Sequence, residues 1–346
     1  MRSTHPTFAP AGCAQIRLRL LAVAGLLAAL VAFALPTGRA SAVGPYPDLG
    51  PCQVFPDPPA SLSPRAPSLP TEAAWNQDVS KAPRDPRSNA YIAYINAHGG
   101  DHLHPDFGSP RPYGFPYSVV GAGQPRLPIY YTAYGEESDP GPFPVPAKAP
   151  VEGGNRSDGD RHVLVVDRAG CRLYELYRAF YVAGPRPHWN ADSGTSWDLR
   201  SAARRPDGWT SADAAGLPIF PGLVRYDEVA AGHLDHAIRV TFESTRDAWV
   251  HPASHCAGDT SDPSAPPMGL RMRLKAGYGL GSFRGAARTI ALAMKRYGLI
   301  VADNGSNWFF SGSSDRRWND EDLNQLKRIP GSAFEVVKSR ASVHSC

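Results

Sequence analysis

The sequence predicts an α+β protein, mainly antiparallel β and built like a β-sandwich or jelly roll, with a few short helices. Two observations carry that expectation. Short β-branched and aromatic runs ("YSVV", "LPIYYTAY", "HVLVVD", "RLYELYRAFY", "HAIRVTFE", "GLRMRLKA") are separated by Gly, Pro and Asp, a spacing typical of sheet proteins. Helical periodicity is confined to a few brief stretches.

The first residues read as an export signal. Arg17 and Arg19 precede the apolar run "LLAVAGLLAALVAFAL", which ends at Pro36 and is followed by Ala40-Ser41-Ala42, the order of a secretory signal peptide. The run is too short for a spanning helix, and no later stretch is long and apolar enough to cross a bilayer. We therefore expect a signal peptide over 1–42, no membrane association after its cleavage, and a secreted, extracellular or cell-wall-associated product. Loss of the leader removes Arg2, Arg17, Arg19 and Arg39 and leaves 32 acidic side chains balanced by as many basic ones. That neutral balance argues against a nucleic-acid partner, which calls for a basic surplus. The run Arg271, Arg273, Lys275, Arg284, Arg288, Lys295 and Arg296, free of carboxylates, reads as the solvated faces of a strand and a helix.

Residues 43–70 are too rich in proline for a helix or a central strand and form an expected arm or linker; residues 71–346 form one expected globular domain. Cys52, Cys171, Cys256 and Cys346 remain after cleavage and favour two disulfides. The preferred pairing is Cys52 with Cys346 and Cys171 with Cys256, although the spacing does not separate the three possibilities.

Within the domain, "SNAYIAYINAHGG" is a helix with Ser88 as its cap and Gly99-Gly100 as its stop. "HVLVVDRAGCRLYELY" is a hairpin turning through Arg168-Ala169-Gly170. In "DHAIRVTFE", His236, Ile238, Val240 and Phe242 point one way while Asp235, Arg239, Thr241 and Glu243 point the other. "FRGAARTIALAMKRYG" places Ala287, Ile290, Ala291 and Met294 on one helical face, with Gly298 ending it. "LIVAD", a turn "NGSN", "WFF", a charged helix "NDEDLNQLKRI" and a strand "AFEVV" complete the chain.

"HGGDHLHPDFG" (98–108) gathers three histidines and two aspartates. "HLHPD" matches part of the metallo-β-lactamase zinc signature, but Phe107 stands where that signature continues with His, and no apolar strand precedes it. We expect no metal and no cofactor; His98, His102 or His104 meeting His251 or His255 is the arrangement a metal-dependent hydrolase would need. "SHC" (254–256) resembles a fragment of the L,D-transpeptidase motif without its glycine and arginine. A nucleophile elbow and a phosphate-binding loop are missing.

Carboxylates among aromatics are the better lead. Glu175 shares a strand face with Leu173 and Tyr177, where burial would raise its pKa as a general acid requires. Asp227 is its expected partner, with Asp106, Glu228 and Asp303 as further catalytic candidates. His104, Trp209, Arg225, Asn304 and Trp308 are candidate substrate-binding residues, because most tryptophans lie in polar company ("HWN", "SWD", "GWT", "NWF", "RWN") and would serve as partly exposed platforms for sugar rings.

"GLPIFPGLVRYDEV", "HAIRVTF", "PPMGLRMRLK" and "YGLIVADNGSNW", in this order, resemble a group of secreted bacterial proteins over roughly residues 75–337. The resemblance implies a single exported domain and carries no reaction. The expected function is a glycoside hydrolase using two carboxylates on a polysaccharide partner, probed against two others: a non-catalytic envelope or polysaccharide-binding protein, and the metal-dependent hydrolase. A monomer is expected.

Overall fold

A hairpin and a six-stranded sheet organise the molecule in the computed structural model, which describes residues 74–108 and 113–346. The leader, the proline-rich arm and Cys52 lie outside the described residues, all of which belong to one compact unit. Strands outweigh short helices throughout, as expected of an α+β, mainly β chain. The sheets are mixed: Tyr117–Val120 runs parallel to Val163–Asp167, and Ile238–Phe242 parallel to Leu299–Asn304, among antiparallel pairs.

The six-stranded sheet runs in the order His104–Pro105, Phe309–Phe310, Ile238–Phe242, Leu299–Asn304, Arg271–Leu274 and Phe334–Val336. Its central strands are apolar on one face, where Ile238, Val240 and Phe242 are fully buried. Helix Gly285–Arg296 covers the core with Ala287, Ile290, Ala291 and Met294, the face its periodicity marks out. Gly298 ends that helix at φ +76°, and a Cβ there would meet the Met272 carbonyl oxygen, so only glycine fits.

The second sheet is four-stranded, in the order Tyr117–Val120, Val163–Asp167, Arg172–Tyr177 and Ser193–Asp198. Its hairpin pairs Val163 with Leu176 through Asp167 with Arg172, turning where the sequence places the turn. Burial on both sides leaves Val163, Leu164, Val165, Val166, Leu173 and Leu176 without exposure. A three-stranded sheet of Ile129–Tyr131, His188–Ala191 and Phe180–Val182 packs a smaller core around Trp189 that it shares with Val163, Val165, Tyr174 and Leu176 of the second sheet.

Two local expectations are corrected. Helix Ser88–Ala97 has no side-chain cap; Ser88 is buried and its hydroxyl accepts from the Val336 N–H, fastening the helix to the edge strand Phe334–Val336 of the six-stranded sheet. Cys346 pairs with Cys256 rather than Cys52. Strand Val343–Ser345 lies antiparallel to Arg246–Val250 and so delivers the chain end to Cys256. Cys171 is also disulfide-bonded.

Candidate active site

Arg239 anchors a buried cluster of charged side chains. Strand alternation places it opposite the core face, yet its side chain is only 2% exposed, because the loop around Asp213 covers that face of the sheet. A buried guanidinium has to be paired and hydrogen-bonded. Arg239 donates from Nε to Asp213 Oδ2 (3.2 Å), from Nη2 to Asp213 Oδ1 (2.6 Å) and from Nη1 to Ser311 Oγ (2.7 Å). Its Nη2 also reaches Asp303 Oδ2 at 3.4 Å. The Phe115 ring packs on the guanidinium at 5.1 Å.

A bulge brings Asp303 to this face. Ile300 sits beside Arg239 and Val301 beside Val240, but the register then shifts and Asp303, not Ala302, sits beside Thr241. In an unbroken ladder Asp303 would follow Val301 into the core; the extra residue turns the carboxylate onto Arg239's side.

Glu152 and His162 supply the other half. Arg161, at φ +54° and buried, donates to the carbonyls of Asn155, Ser157 and Ala179 and so folds the loop 152–161 back on itself. Glu152 Oε2 then lies 2.5 Å from His162 Nδ1, while His162 Nε2 faces the Ala212 carbonyl at 2.9 Å. Asp106 arrives from the sheet edge, where its N–H donates to the Phe310 carbonyl.

These groups share one electrostatic environment. Burial, reinforced by the charge of Asp213, pushes Asp303 up to about 7 against the pull of Arg239 and His162. Burial and the charge of Glu152 also raise Asp106. Burial would raise Glu152 too, but the charge and hydrogen bonds of His162 outweigh it and hold Glu152 below its ordinary value. About a quarter of the Asp303 and Glu152 side chains reaches solvent, and Asp106 is exposed. Arg239 and His162 are buried. Such a cluster can keep one carboxyl protonated and another ionised at the same pH, the division of labour that acid–base catalysis needs.

The remaining sequence candidates lie elsewhere or are closed off. Glu175 has no exposure; it accepts from the N–H groups of Ile219 and Phe220 and from Trp197 Nε1, so it fastens the 219–220 turn to the sheet and cannot meet a substrate in this state. Asp227 and Glu228 flank Arg225, which is buried over the Phe220 ring. Glu228 also pairs with His236 at 3.2 Å. This cluster secures the short helix Tyr226–Ala230 and leaves Arg225 no surface for a ligand.

Trp308 is fully buried between Phe242 and Phe334, its N–H donated to Asn96. Six of the seven tryptophans are buried and only Trp209 is partly exposed. Their polar sequence neighbours mark loops that these rings lock onto the core. Trp318, for instance, donates to the Ser313 carbonyl. Trp209 carries Arg205 against its ring, and Asn304 is exposed beside Thr245.

The histidines of 98–104 do not converge. His98 bonds the Tyr94 carbonyl, His102 bonds Asp101, and His104 stacks on Phe309 with burial lowering its pKa. His251 bonds Asp207 and His255 the Ala214 carbonyl. Among the described residues, the group with metal-like spacing is Asp247, Cys256 and Cys346, whose thiols are spent on the disulfide. Of the basic run, Arg271 donates to the Tyr297 carbonyl and Arg273 to Glu335, while Lys275, Arg284, Arg288 and Arg296 are exposed, as solvated faces of a strand and a helix would be.

Sequence reasoning therefore reached Asp106 and Asp303 but missed Glu152, His162, Asp213 and Arg239. Arg239 alone left a trace, as a cation in the middle of the clearest strand. Comparison with known proteins finds no matching family model, no similar curated protein and no similar solved structure.

Proposed function

We propose that the charged cluster around Arg239 is the active site of a hydrolase that cleaves glycosidic bonds by two-carboxylate chemistry. The observation that carries this reading is the opposite displacement of two carboxyls that share the fields of Arg239 and His162, Asp303 raised to about 7 and Glu152 held down by His162. Asp303, still protonated near neutral pH, donates its proton to the departing glycosidic oxygen. Glu152, ionised, acts on the other side of the bond as base toward water or as nucleophile. Asp106, exposed beside them, accepts hydrogen bonds from sugar hydroxyls.

Burial of nearly all tryptophans weighs against the non-catalytic alternative, which needs a row of exposed rings, and the dispersed histidines weigh against the metal-dependent one. Export follows from the leader-like sequence over 1–42. It is supported by the Cys256–Cys346 disulfide, of a kind that persists in oxidising compartments. No described helix is long and apolar enough to cross a membrane.

The test is release of new reducing ends from a panel of bacterial and plant polysaccharides, with and without chelator. We expect chelator-resistant release that falls by ~10²–10⁴-fold in Asp303→Asn and in Glu152→Gln. Release untouched by both substitutions overturns the assignment. Retention on a polysaccharide without any release converts the protein into a binder.

A further inference from the structure

His162 is enclosed on every side. Its ring is 3% exposed and lies between Phe115 and Tyr177, with ring centroids 5.2 and 5.4 Å away. Nε2 faces a backbone carbonyl, which can only accept, so Nε2 carries a proton. Nδ1 faces the Glu152 carboxylate at 2.5 Å, and an ionised carboxylate also only accepts. Both nitrogens then act as donors, and the ring is cationic.

The two partners belong to different parts of the site. Glu152 lies at the start of the loop that returns to the hairpin, whereas Ala212 immediately precedes Asp213, the bidentate partner of Arg239. From the Glu152 anion the chain runs through His162 to the Asp213 loop, then through Arg239 to Asp303. Anion and cation alternate from Glu152 to Arg239, and the chain ends on the raised carboxyl of Asp303.

We propose that His162 is a positioning residue, an imidazolium protonated on both ring nitrogens that keeps Glu152 an anion and ties its loop to the loop carrying Asp213. The proposal rests on the reading of Glu152 as the ionised partner. Other charged groups act on the ring as well. Asp160 favours its cation and Arg239 opposes it, while Asp213, Glu175 and Asp303 all register its charge. Burial alone would neutralise the ring; Glu152 overrides it and lifts His162 to about 9.

Nitrogen-15 NMR of the histidine rings in the full chain tests this without any substrate. The expected result is a His162 ring protonated on both nitrogens at pH 7 that titrates near 9. In Glu152→Gln the anion is gone while the burial stays, so the titration should fall to or below the ordinary histidine value of 6.5.

In His162→Gln the Glu152 carboxyl, followed by carbon-13 NMR, should titrate about 1–3 pH units higher than in the parent. Should that variant not fold, the parent and Glu152→Gln spectra still decide. A neutral ring at pH 7 in the parent, or a titration that Glu152→Gln leaves in place, overturns the proposal. Because ring protonation is read directly, a chain that releases no sugar would fail the hydrolase reading and leave this assignment standing.

Discussion

Glu175 and Asp303 are two carboxyls pushed to the same value, about 7, by the same leading cause, desolvation. Their surroundings differ in one respect that decides what they can do. Glu175 has no exposure and accepts from two backbone N–H groups and an indole. Asp303 keeps a quarter of its side chain in solvent and shares Arg239 with Asp213. A shifted pKa marks a functional site only when a substrate can reach the group, since structural networks shift pKa values equally well.

Breaking the open site at its anchor should have the largest effect on stability. Arg239→Met leaves Asp213 buried and unpaired, and removing one partner of such a pair costs about 3–5 kcal/mol, to be read from urea unfolding. The disulfide comes next. The segment after Val250 holds the Asp213 loop through Ser254 and His255 N–H groups on the Ala215 carbonyl, and meets Asn304 through the Ala257 carbonyl. Cys346→Ser should cost about 2–4 kcal/mol and loosen hydrogen-exchange protection around 213–216 more than around 219–220. Uniform loss of protection would show that the disulfide does not support the open site in particular.

Closing the comparison from the other side, Glu175→Gln keeps the shape but gives one accepting oxygen in place of two. It should cost about 1–3 kcal/mol, visible as a lower unfolding midpoint. The smallest effect is in the pH dependence. Glu175 and Asp303 are raised from ordinary values of 4.5 and 3.8, so each loses stabilisation as pH rises through about 7. His162, raised from 6.5 to about 9, loses its contribution over that higher interval. Glu152, held low, acts in the opposite sense and weakens the fold as pH falls through the acid range. Melting temperature should therefore peak on the mildly acidic side of neutrality and decline toward alkaline pH, and Asp303→Asn should shallow the decline.

The strand Ile238–Phe242 and the helix Gly285–Arg296 were legible because one apolar face writes a period into the sequence, and the hairpin because its continuous apolar runs break at Arg168-Ala169-Gly170. The tryptophans were misread: polar neighbours describe where a ring sits along the chain, and tertiary packing decides whether it is exposed. Asp303 was legible as the carboxylate ending a strand, but the bulge that aims it at Arg239 has no signature in "LIVADN". Glu152 and His162 bracket one loop, Asp213 lies on a second and Arg239 on a strand, and only the tertiary fold brings the three together. Periodicity reports a residue's own element. A site assembled from several elements lies beyond it.

The most direct test sets the two carboxyls side by side. Asp303→Asn and Glu175→Gln are assayed for release of reducing ends well below both unfolding temperatures. We predict that Asp303→Asn loses ~10²–10⁴-fold while Glu175→Gln retains the parental rate and shows only its lower melting point. The reverse pattern, with Glu175→Gln inactive though folded and Asp303→Asn unimpaired, would contradict the account.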